Sequence, residues 1–151
     1  MKSEFTRLLL GLLVLIAGGA AEDLLPKVFG AGLPLLLALA VMVATRWTAL
    51  ETVLFAVTAG ALEDALSGLP PAMSVSFFLA AAVLSRQAVM PRSVTVLSYA
   101  AYQLWLSLWL SLPVSVLFSR MLLAVPLGLL AMAAAELSLR YLERKAAVDE
   151  G

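Results

Sequence analysis

The sequence predicts an all-α integral membrane protein, a compact bundle of about six transmembrane helices with both termini cytoplasmic. Three observations predict it. Of 151 residues, 63% are hydrophobic and 13% charged, and mean hydropathy is +1.03. A soluble domain is roughly 45–50% apolar and about 25% charged, and one of this length has too small an interior to hide the surplus, so lipid is needed as a second solvent. The charges fall in small groups between six apolar runs. Basic residues also concentrate in every second connection and at the two ends.

Residues 8–21 form the first run, behind Lys2 and Arg7. Its basic start and its small residues at 17–21 also fit a secretory signal peptide, although small residues equally let membrane helices approach. The second run is 29–45, from Phe29, with Pro34 near its start. The third is 47–62, interrupted by Glu51, and the fourth is 72–85. The fifth, 93–119, is the longest. As one straight helix it would measure about 40 Å at roughly 1.5 Å per residue, so it must tilt, kink at Pro113 or begin in the interface. The sixth is 121–139, carrying Glu136. Residues 1–139 thus read as one transmembrane domain, and 140–151 as a polar, frayed cytoplasmic tail.

With six spans, one side holds Lys2, Arg7, Arg46, Arg86, Arg92, Arg140, Arg144 and Lys145, and the other holds Lys27 and Arg120. Basic residues favour the cytoplasmic side, which gives the N-in, C-in orientation.

The chain has no Cys and no His. That removes disulfides, thiolate chemistry, the usual zinc sites and Ser-His-Asp catalysis. Net charge is zero, so no bulk field draws nucleic acid. No phosphate loop or metal-ligand spacing is present. The reading is a non-enzyme without cofactor or metal.

Two polar features remain inside the apolar frame. The first is Gly60-Ala61-Leu62-Glu63-Asp64-Ala65-Leu66-Ser67-Gly68-Leu69-Pro70-Pro71. Glu63 lies 17 residues beyond Arg46, about 25 Å of helix, which places the two acids near the far interface. Neighbouring helical positions diverge by about 100°, so one acid should face the bundle and the other the outer water. Pro70 and Pro71 end the third helix near Ser67 or Gly68 and start the fourth near Pro71. Asp64 is expected to cap the open N–H groups of that fourth helix, with a proton or cation site, or a contact to a partner, as the alternatives.

The second feature is a stripe of Gln103, Ser107, Ser111 and Ser115 at i+4, preceded by Tyr99, with Tyr102, Trp105 and Trp109 on an adjacent face. Such a stripe should face protein. It serves either packing within the bundle or docking of a partner's transmembrane helix through Tyr102, Gln103, Trp105, Ser107, Trp109 and Ser111. Glu136 and Arg140 are spaced for a helical ion pair. Glu51 has Arg46 nearby.

The stretch from Gly60 to Gly68 resembles the G-x-x-x-D-φ-φ-x-G motif (φ apolar) of the rod shape-determining protein MreD family, at the end of the third span. Gly32-Leu33-Pro34 and the following run look like the family's proline-led second span. The family usually shows a further Gly shortly after the motif, where this chain has Pro70-Pro71-Ala72. The resemblance implies a scaffold of the bacterial cell-elongation machinery in the inner membrane. Its partners would be an MreC-like bitopic membrane protein, MreB filaments and, directly or through these, the peptidoglycan synthase complex. Gly60, Asp64 and Gly68 match the motif, with Glu63, Pro70 and Pro71 shaping the same corner. The layout is also similar to the substrate-binding S subunit of energy-coupling-factor vitamin transporters, whose first span carries small-xxx-small patterns such as Ala17 and Ala21.

Overall fold

The computed structural model describes residues 2–27 and 30–149. Among them the chain is all-helical: α1 (Lys2–Leu24), α2 (Leu35–Arg46), α3 (Ala49–Ser67), α4 (Met73–Gln87), α5 (Pro91–Trp109) and α6 (Val114–Asp149). Two helices are long and apolar enough to cross a membrane, over Phe5–Leu24 and Val114–Lys145; α2 and α4 are shorter apolar helices.

α2 is the centre of the bundle. Every residue from Leu35 to Ala44 is buried, as expected of a helix that is apolar on all sides. It packs against each of the other five helices, while α3 pairs with α4 and α5 with α6. α1 belongs to the same body. A Cβ at Gly18 would lie 2.8 Å from Leu39 of α2, and one at Gly19 would lie 2.8 Å from Leu62 of α3, so the small-residue run serves close packing. Large apolar side chains cover the outside, including Leu8, Leu12 and Ile16 of α1 and Phe118, Leu122 and Leu130 of α6.

Several boundaries differ from the sequence expectation. α2 starts at Leu35, because Pro34 stands at its N-cap; Phe29, the expected start of that run, lies outside the described residues. The run 93–119 is not one helix. α5 ends at Trp109, and the chain turns with Ser111 at φ 49 before α6 begins at Val114. Proline disfavours the α conformation in the residue before it and removes a helical donor; the break falls ahead of Pro113, while Pro126 is carried within α6. Its carbonyl then accepts from Val116 and Leu117 in the first turn of α6. The tail, expected to be frayed, continues α6 to Asp149. Its Leu, Arg, Glu, Lys and Ala residues favour helix, Leu139 is buried in the core, and Glu143 pairs with Arg46 at 2.7 Å.

One end of the bundle collects most of the ion pairs. Arg7 of α1 faces Glu51 of α3 at 3.9 Å. Arg92 of α5 contacts Glu136 of α6 at 3.1 Å, and Arg140 pairs with the same carboxylate. Arg86 donates to the Trp47 carbonyl at 3.1 Å. Glu51 forms a capping box with Thr48, a role carried by the Thr48-x-x-Glu51 spacing rather than by Arg46.

Candidate functional site

The site lies at the opposite end of the bundle, where the N-termini of α2 and α4 meet the C-termini of α1 and α3. The caps of the two short helices, Pro34 and Ala72, supply no side-chain hydrogen bond. The open N–H groups of both are satisfied from the preceding helix. The Leu36 N–H donates to Glu22 Oε2 at 3.0 Å, and the Ser74 N–H donates to Asp64 Oδ1 at 2.8 Å. A carboxylate is favourable there because the helix dipole is positive at its N-terminus.

Asp64 organises the α3–α4 corner through its backbone as well. The Gly68 N–H returns to the Asp64 carbonyl, and the Leu69 N–H reaches the same oxygen at 2.9 Å. Gly68 is left-handed at φ 64, the helix-ending conformation that glycine adopts at least cost. Gly60 serves the same corner by having no side chain. A Cβ there would sit 2.6 Å from Val75 Cα and 2.8 Å from Val75 N, inside the backbone of α4. Pro70 and Pro71 form the turn, and α4 starts at Met73, two residues later than expected. Ala72 ends the turn at φ 70, in the left-handed region.

Both acids of the corner are buried, Glu63 at 9% exposure and Asp64 at 4%, so neither faces outer water as the angular argument expected. The divergence is accommodated between two partners: Asp64 faces α4, and Glu63 faces α1. The Glu63 carboxyl accepts from Ser67 Oγ at 2.8 Å and shares a cavity wall with Glu22. Ser74 extends the network, its hydroxyl bonding Tyr102 Oη at 2.9 Å. Tyr99 donates to the Gly32 carbonyl, tying α5 to the segment before α2.

These groups surround a cavity of about 70 Å³ lined by Glu22, Glu63, Ser67, Tyr99, Tyr102 and Gln103, with Asp23 and Lys27 also on its wall. Three buried polar atoms in the described residues lack a hydrogen-bond partner: Asp64 Oδ2, Gln103 Oε1 and Ser107 Oγ.

The α5 stripe divides. Tyr99, Tyr102, Gln103 and Ser107 are buried and face the bundle, whereas Ser111 lies exposed in the turn and Ser115 exposed at the start of α6. Of the six residues proposed as a docking face, only Trp105, Trp109 and Ser111 are open. The two indoles stack at 6.4 Å, and Phe77 of α4 packs against Trp105 at 6.3 Å.

Glu22 and Ser74 are the participants that the sequence reading missed. Glu22-Asp23 closes α1 as Glu63-Asp64 nears the close of α3, each at the same predicted level and each ahead of a proline-led turn, a parallel visible in the sequence.

Among the described residues, no group of three or more Asp or Glu residues is arranged to hold a metal ion. No protein-family model matches the chain, and neither does any curated protein or solved structure.

Proposed function

We propose that the protein is a multi-pass scaffold of the bacterial inner membrane. It would have six spans with both termini cytoplasmic, and it would bind an MreC-like bitopic partner to help couple MreB filaments to peptidoglycan synthesis. The observation that carries this reading is the convergence of the three motif residues on one corner. Gly60 admits α4, Asp64 caps it, and Gly68 ends α3. Each acts through geometry and none through bond-making chemistry.

The membrane assignment rests on two further supports. Exposed leucines on α1 and apolar side chains on α6 form more unpartnered apolar surface than water tolerates. Arg7, Arg46, Arg86, Arg92 and Arg140 gather at one end of the bundle, with Lys27 and Arg120 toward the other, in keeping with the positive-inside rule.

Recovery from native lipid tests the function. The tagged protein should bring down a single-span protein with a periplasmic coiled coil. Recovery of a transport ATPase with a bound vitamin would replace this reading with the S-subunit alternative. The cavity at the acidic end, about 70 Å³, falls well short of the ~300–1,000 Å³ typical of small-molecule sites, whereas an apolar groove of about 550 Å³ between α1, α2 and α6 falls within that range.

A further inference from the structure

We propose that the cavity between α1, α3 and α5 is a binding site for a small monovalent cation, held by Glu22, Glu63 and the side-chain oxygen of Gln103. The proposal does not depend on the scaffold reading.

Two carboxyl groups on the wall of one small cavity repel each other when both are charged, unless a positive species lies between them. Glu22 and Glu63 line the same cavity, and one oxygen of each is already engaged, by the Leu36 N–H and by the Ser67 hydroxyl. The remaining oxygens therefore need a proton or a cation. Gln103 supplies the independent observation. It is 3% exposed, it lines the same cavity, and its Oε1 accepts no hydrogen bond. A buried, unpaired amide oxygen costs free energy unless a positive group meets it. Hard monovalent cations prefer this all-oxygen donor set, and the volume suits one ion with a water rather than an organic molecule. The rings of Tyr99 and Tyr102 complete the wall.

The other charged groups around the pair are Asp23 of α1, Lys27 of the following segment, Asp64 of α3 and Arg120 of α6. α2 and α4 contribute only Pro34-led backbone, Leu37 and Phe78 to the wall. The pair thus exchanges one proton for one cation: the carboxyl O–H bond breaks, the proton leaves to outer water, and the cation takes its place between the oxygens.

The test uses the purified full chain in mild detergent, weakly buffered in choline chloride. Sodium, potassium and ammonium chlorides are added in separate arms at constant ionic strength. Binding should release about one proton per cation. It should also raise the melting temperature by roughly 3–6 °C at about ten times the dissociation constant, more at pH 8 than at pH 6 because protons compete. Glu22→Gln retains an acceptor for the Leu36 N–H and should abolish both responses, as should Gln103→Leu in a chain that still melts cooperatively. If no cation releases protons or shifts melting of the unaltered protein, the proposal fails. It fails equally if Glu22→Gln responds like the unaltered chain.

Discussion

The Asp64 carboxylate accepts the Ser74 N–H at 2.8 Å across the α3–α4 corner. Substituting asparagine keeps a side-chain oxygen for that bond, so Asp64→Asn should fold and melt close to the unaltered protein. Asp64→Ala removes the acceptor and should cost about 0.5–2 kcal/mol. Thermal unfolding of both variants in the same detergent measures the difference.

Gly60→Ala drives a methyl group into the Val75 backbone. Because backbone cannot rotate away, the loss should be about 1–3 kcal/mol, and the yield of folded protein should fall with it. Gly68→Ala meets no neighbour and should suffer only the left-handed strain, about 1 kcal/mol. A melting series that ranks Gly68→Ala as the worse of the two would contradict this account of the corner.

Ala72 stands at φ 70 with no glycine to relieve it. Ala72→Gly should leave the fold unchanged and raise stability by up to about 1 kcal/mol, readable as a higher melting temperature. The position falls in the stretch where the MreD-like pattern usually carries its further glycine.

The absence of cysteine makes single-cysteine labelling a clean test of orientation. Val89, 95% exposed in the α4–α5 connection, should react as Val89→Cys only when a membrane-impermeant maleimide reaches the cytoplasmic face. Ser111→Cys, in the α5–α6 turn, should react from outside intact spheroplasts. Labelling of both from one side would rule out the six-span arrangement.

Trp105 and Trp109 remain 42% and 58% exposed. As the open part of the expected docking face, their joint replacement by alanine should reduce recovery of the bitopic partner while leaving the melting temperature within a few degrees. Replacement of buried Gln103 or Ser107 should instead change melting first.

Helix number and order were legible from sequence because charged groups and prolines interrupt the apolar runs at nearly every helix end. The corner was legible too, since Pro70 and Pro71 dictate a break and a nearby carboxylate is the natural cap. What escaped was tertiary. Periodicity placed Tyr102, Gln103 and Ser107 on one stripe but could not say whether the bundle or a partner would cover it. Glu22 looked like a loop charge because its partner Leu36 lies 14 residues away and Glu63 lies on another helix. Pro113 marked one of three ways to accommodate the long fifth run, but a stretch as apolar as a span could not show which; the helical continuation to Asp149 was hidden because it is as polar as a tail.

α2 is 12 residues long, about 18 Å at roughly 1.5 Å per residue, against a hydrocarbon core of about 30 Å. It has no side left for lipid. Such a segment is a poor candidate for insertion by itself during synthesis, and its capping partner Glu22 would enter the bilayer beside it. α2 becomes secure only when α3, α4 and α6 arrive around it. On the membrane reading proposed above, integration is expected to be concerted: a ribosome stalled after the second helix should leave a fragment that is not yet firmly embedded, and chains truncated before α6 should be degraded rather than accumulate as smaller bundles.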